Sequence, residues 1–168
     1  FLLTRLVTPK LEAAGTYRII NLSSELYRNA KKSFDFSDLS LKKGYSSSKA
    51  YANSKLATML FTQELQGRLA RSGSRAFAVH PGVIRTNFGS GPNSSKSMAL
   101  MMKLMGPLLK SAESGAMTSL LLATASEERF NDVWYWSEGE PKSPDQIATD
   151  TSASRRLWDV TEGLLHLA

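Results

Sequence analysis

No cysteine occurs in the chain, which excludes disulfides and thiolate metal sites and leaves the redox compartment open. Histidine is nearly as scarce. His80 and His166 are too few for a His-rich zinc centre, and no acidic cluster carries metal-loop spacing. No run approaches the ~18 consecutive apolar residues that span a bilayer. A strand, closely spaced glycines and a helix, the dinucleotide-binding turn, are missing as a set. Gly89 and Gly91 follow no strand closely and open no clear helix. Nor is there a G-x-S-x-G elbow, which argues against a serine hydrolase. The net charge of +6 would suit an anionic partner. Its sources are scattered, however, as Arg5, Lys10, Lys31–Lys32, Lys42–Lys43, Lys49, Lys55, Arg68, Arg71 and Arg155–Arg156. Without a basic stripe interleaved with aromatics, nucleic acid is a poor partner, whereas a phosphate-bearing cofactor would use the same balance.

What is present suits one globular domain with a real core: 168 residues, 42% of them hydrophobic and 21% charged. The chain opens on an apolar-periodic pattern (Phe1, Leu2, Leu3, Leu6, Val7) without a methionine. This reads neither as a signal peptide nor as a normal start, and is expected to be the interior of a longer protein. Residues 1–8 predict a helix ending near Pro9, followed by a connector over 12–16. Tyr17–Leu22 predicts a buried parallel strand, with Ser23 and Ser24 just past it. Residues 25–44 predict a packed loop with a small strand or turn, pinned by Phe34, Phe36 and Leu39. A helix is predicted from Ser46 to about Arg71, apolar over much of its girth and suited to two packing surfaces, one of them open to a partner subunit. Arg75–His80 is the next strand, stopped by Pro81–Gly82, which completes a parallel βαβ unit. Beyond a methionine-rich stretch, a helix over 112–125, a last strand over 133–136, a turn at Pro141 and Pro144, and a terminal helix over 152–167 follow.

The stretch Gly44–Lys55, G-Y-S-S-S-K-A-Y-A-N-S-K, holds two overlapping Tyr-x-x-x-Lys copies, Tyr45–Lys49 and Tyr51–Lys55. Residues four apart share a helix face, and an ammonium beside a phenol favours the phenolate, so either copy could form an acid–base pair. Solvated helix surface gives the same spacing.

Three ordered blocks decide more: N-L-S-S (Asn21–Ser24), Y-A-N-S-K (Tyr51–Lys55) and H-P-G-V-I-R-T (His80–Thr86). Together with F-L-L-T-R and S-K-L-A-x-x-L-F-T-Q-E-L, they resemble the short-chain dehydrogenase/reductase family, above all its retinol-dehydrogenase-like members. The resemblance covers nearly all of this chain but only the C-terminal half to two-thirds of such an enzyme. It implies an α/β, Rossmann-like doubly wound parallel sheet, present here as a C-terminal portion lacking the glycine-rich first βαβ unit. Residues 1–168 would form part of one domain, with 88–110 as the substrate lid.

The resemblance further implies hydride transfer between NADP(H) or NAD(H), NADP being weakly preferred, and an alcohol or carbonyl. Tyr51 falls on the family's proton donor and acceptor, Lys55 on its lysine, and Ser24 on the serine that bonds the developing alkoxide. Tyr45 would leave six extra residues in the helix (51 − 45) and lies about 240° around the axis from Tyr51. It reads instead as a helix-start residue. Pro81, Gly82, Val83 and Thr86 would hold the nicotinamide end, Gly82 by permitting close backbone approach. His80 reads as a strand-end residue tied by packing and a hydrogen bond, and Asn21 and Ser23 as structural.

The methionines of the lid suit a lipophilic retinoid-, steroid- or aldehyde-like substrate, with core packing or a subunit contact as equal alternatives. A homo-oligomer and a weak membrane-surface contact are further expectations, as is a cytoplasmic location with a membrane-associated one as the alternative. The rival function is a catalytically inactive scaffold or interaction module built on the same fold. The family's glycine turn and the selector of NAD against NADP have no counterpart here, so the 168 residues alone are not expected to complete the site.

Overall fold

The computed structural model describes residues 1–84, 110–130 and 132–167. The elements are α1 (Leu2–Ala14), β1 (Arg18–Leu22), a 3-10 helix (Glu25–Lys32), α2 (Ser47–Leu69), β2 (Arg75–His80), α3 (Ala112–Thr124), β3 (Tyr135–Ser137), β4 (Glu140–Pro141) and α4 (Thr151–Leu164). Among the described residues the strands form one sheet in the order β1-β2-β3-β4. β1 and β3 both pair parallel to β2, in registers that set Asn21 beside Ala78 and His80 beside Ser137; β4 returns antiparallel to β3.

Alternation along β2 separates the two layers. Ala76 and Ala78 face α2 and α4, where their small side chains admit Met59, Leu60, Leu65 and Trp158. Phe77 and Val79 face the opposite layer, with Leu122 of α3, Phe130 and Trp136. Helices therefore cover both faces, and the α/β, Rossmann-like arrangement expected of a partial doubly wound domain is the one observed.

α2 begins one residue after the expected Ser46, which caps it instead: the Ser46 hydroxyl accepts from the Lys49 amide. Its buried residues form two stripes. Ala52, Leu56, Met59 and Leu60 join the cluster with Tyr27 and Ala148, while Phe61, Leu65 and Leu69 join Trp158 and Phe1. The second packing surface of this helix thus includes α4 of the same chain.

Three elements differ from the sequence reading. α1 runs through Pro9 to Ala14. Proline removes one amide donor, but Leu11, Glu12, Ala13 and Ala14 favour the helix strongly enough to carry it on, until Gly15 (φ 110) ends it. The loop after β1 begins as a 3-10 helix rather than a strand or simple turn, with Phe34, Phe36 and Leu39 packed against the core as expected. The last strand starts at Tyr135 rather than 133, because the Val133 amide is held in a turn by the Phe130 carbonyl. It turns at Glu138–Gly139, both at positive φ (56 and 82), which matches the twist of a two-residue hairpin. Pro141 therefore lies in an edge strand, where a missing donor is tolerated. No described helix is long and apolar enough to cross a membrane.

Candidate active site

The C-terminal ends of parallel strands, where connections diverge, are the ligand side of an open α/β sheet. The Ser23 amide still donates to the Val79 carbonyl (2.7 Å) and its hydroxyl donates to the Lys55 carbonyl (3.2 Å), so Ser23 staples β1 to β2 and α2. Ser24, buried, caps the following 3-10 helix, its Oγ accepting from the Leu26 amide at 3.3 Å. An Oγ that accepts in this way keeps its proton free to donate elsewhere. Asn21 is tied to α2 through Thr62 Oγ1 at 3.0 Å, a structural role as expected.

Tyr51 and Lys55 both lie on α2, with the ammonium over the phenol ring at 5.6 Å from its centroid. The same ammonium donates to the Leu22 carbonyl at 3.1 Å, drawing Lys55 to the end of β1 beside the serines. Tyr45, by contrast, precedes the Ser46 cap and is 68% exposed; Lys49 turns back toward the Gly44 carbonyl at 3.4 Å. The two motif copies are thus placed differently: one spans a helical turn, and the other straddles the helix start.

At the end of β2, Gly82 adopts φ 87, and a β-carbon there would lie 3.3 Å from Lys110 Cδ. The positive φ favours glycine, and the Lys110 side chain would have to shift slightly to admit a β-carbon. The exposed Val83 follows, its carbonyl accepting from the Lys110 amide at 3.1 Å, while Lys110 and Glu138 form an ion pair beside the turn. Pro81 is partly buried. Thr86 lies outside the described residues, as does the expected lid at 88–110 apart from Lys110.

His80 differs from expectation in one respect. Packing holds it, but its buried Nδ1 has no hydrogen-bond partner among the described residues. Burial pushes its pKa below the usual 6.5, against the opposing pull of Glu25 and Glu138. The imidazole is therefore neutral at neutral pH.

Sequence reasoning missed a network behind Ser24. The wholly buried Tyr135 donates to Glu25 Oε1, while Arg28 pairs with Glu25 Oε2 (2.6 Å) and with Asp145 (3.2 Å). The Asp145 amide donates to the Tyr27 hydroxyl (2.7 Å), and the Tyr27 amide to the Ser24 carbonyl (2.9 Å). Burial alone would raise the Glu25 carboxyl, but the hydrogen bonds from Tyr135 and Arg28 outweigh it and hold the pKa below 4.5. Burial, then the bond to Glu25, pushes the Tyr135 phenol well above its ordinary value. The only signal in the sequence was a glutamate directly after Ser24.

No family model matches the chain. It is 40% identical over 175 residues to mouse (Mus musculus) retinol dehydrogenase 13, covering 100% of this chain and 51% of that protein. Human (Homo sapiens) retinol dehydrogenase 12 is 36% identical over 165 residues, covering 98% and 51% respectively. The chain spans about half the length of the curated relatives it matches. A crystal structure of an uncharacterized protein from Mycobacterium paratuberculosis superposes with a TM-score of 0.63 at 28% identity, covering 89% of this chain and 50% of that one.

Proposed function

From its homology to the retinol-dehydrogenase-like short-chain dehydrogenases/reductases, borne out over about half their length, we propose that this chain carries the proton-handling part of a hydride-transfer site. The whole protein would be an oxidoreductase acting on an alcohol or carbonyl, with residues 1–168 as the C-terminal part of its domain. One observation carries the reading. Lys55 lies over the Tyr51 ring and donates to the Leu22 carbonyl at the end of β1, two residues before Ser24, which supports reading Tyr51 and Lys55 as an acid–base pair there.

In the reducing direction Tyr51 gives its proton to the carbonyl oxygen of the substrate, and in oxidation its phenolate takes the alcohol proton. The Lys55 ammonium lies 5.6 Å from the centroid of the Tyr51 ring. Only one of its three N–H donors is engaged by Leu22 in the hydrogen bonds described, leaving others for ribose hydroxyls. Ser24 donates to the developing alkoxide with the proton that its bond from Leu26 leaves free.

A nicotinamide cofactor, NADP or NAD, supplies or accepts the hydride when bound. The turn at Gly82, a left-handed glycine without a β-carbon and with an exposed Val83 beside it, fits the close approach of a flat ring. Pro81, Gly82, Val83 and Thr86 would line that end. These relatives are named as retinol dehydrogenases, so a retinoid is the first substrate to test, followed by other lipophilic aldehydes and ketones.

The rival reading is an inactive scaffold, favoured by the exposed Leu3 and Leu6 of α1 and the exposed Leu22 on β1. Cofactor deuterated at the transferring position separates the two. Incubated with the intact protein and a retinoid or other lipophilic aldehyde, it should leave deuterium on the carbonyl carbon of the alcohol product. Bound cofactor with no transfer to any aldehyde or ketone would sink the oxidoreductase reading.

A further inference from the structure

We propose that the cleft between the 32–44 loop and the start of α2 is a binding site for a phosphate group, built by Lys32, Lys42, Lys43 and Lys49. These lysines look scattered in the sequence, yet the fold brings all four to one cleft of about 430 Å3. That volume falls within the range of small-molecule pockets, roughly 300–1,000 Å3. Lys49 belongs to the Tyr-x-x-x-Lys copy that the proposed active site does not use, so the cleft stands independently of Ser24, Tyr51 and Lys55.

The loop is built rather than slack. Phe34, Phe36 and Leu39 pack against the core, and Ser33 exchanges two hydrogen bonds with the buried Asn53, at 2.7 and 2.9 Å. Leu41, buried on the cleft wall, holds φ 51, a left-handed conformation unfavourable for a side-chain-bearing residue. The following Lys42 and Lys43 are left exposed.

Asp35 and Asp38 also line the cleft, but their oxygens serve the loop itself. Asp38 accepts from the Lys42 and Lys43 amides (2.8 and 2.9 Å), and Asp35 from the Ser37 amide and hydroxyl (2.7 and 2.8 Å). Those bonds keep both carboxyls below their ordinary pKa and ionised. The ion pairs of the described residues include none of the four ammoniums. Four positive charges less two negative leave +2, which matches a phosphate dianion. A phosphomonoester metabolite and the headgroup of an anionic lipid share that chemistry.

The test is calorimetric titration of the full protein with inorganic phosphate, alone and in rising salt. Saturable binding that weakens with salt is expected, and the Lys42→Glu/Lys43→Glu variant should bind at least about tenfold more weakly. Lys49→Gln should lose a smaller factor. Tyr51→Phe should leave the affinity unchanged, so this cleft and the oxidoreductase reading fail separately. Phosphate bound at any other site would survive the charge reversal. Co-sedimentation with phosphatidic acid vesicles but not phosphatidylcholine vesicles would support the lipid source, and binding of phosphate without vesicle capture the soluble ester. Equal affinity in the charge-reversed variant with an unchanged circular dichroism spectrum, or no binding of phosphate or vesicles, would overturn the proposal.

Discussion

Removing the Tyr135 hydroxyl probes the buried network directly. Tyr135 has 0% exposure and donates to the Glu25 carboxylate, and a hydrogen bond to a charged group contributes about 1.5–3 kcal/mol. Glu25 keeps its bond to Arg28 at 2.6 Å, and its side chain is 40% exposed, so water takes up part of the loss. Tyr135→Phe should therefore cost about 1–2 kcal/mol, seen as a lower urea midpoint at unchanged m-value. The Glu25→Gln variant and the double variant complete a cycle. Coupling is expected, because both substitutions remove the same contact. Additive effects, or a Tyr135→Phe protein as stable as its parent, would refute the assignment of this bond as a tie between β3 and the serine loop.

Gly82→Ala forces a side chain into φ 87 and sets its β-carbon against Lys110, and should destabilise the protein by about 1–2 kcal/mol in a denaturant melt. Under the proposed function it should also weaken nicotinamide binding. Acid should act in two stages. His80 has a lowered pKa in the fold, so its contribution is present above 6.5 and is lost as pH falls through the depressed value. The Glu25 carboxyl is lowered too, so its contribution is present above 4.5 and is lost below that. Melts between pH 7 and pH 3 should show both stages, and His80→Gln should remove the first alone.

Local patterns made the central βαβ unit legible. Arg75–His80 is a strand with the expected bounds, and α2 starts within one residue of the expected Ser46. Where a rule of thumb competed with its surroundings, the surroundings won. Pro9 did not end α1, since good helix formers follow it, and the hairpin turns at Glu138–Gly139 rather than at the prolines. The elements carrying Ser24, Tyr51 and Lys55 could be read because each follows a strand or helix signal. The Tyr135–Glu25 contact could not, because it joins residues 110 positions apart, and the strand signal over 133–136 does not say what its tyrosine meets. The lysine cleft was hidden for the same reason, its members being separated along the chain and gathered only by the loop.

The central claim is that Tyr51, not Tyr45, handles the proton. Tyr51→Phe and Tyr45→Phe versions of the intact protein, assayed side by side with a nicotinamide cofactor and a retinoid, test it most directly. Loss of a general acid–base group costs about 10²–10⁴-fold in kcat, so Tyr51→Phe should fall by that order while Tyr45→Phe, altering an exposed ring ahead of the helix cap, keeps most of its turnover. Full activity in Tyr51→Phe, or its loss in Tyr45→Phe alone, would contradict the account.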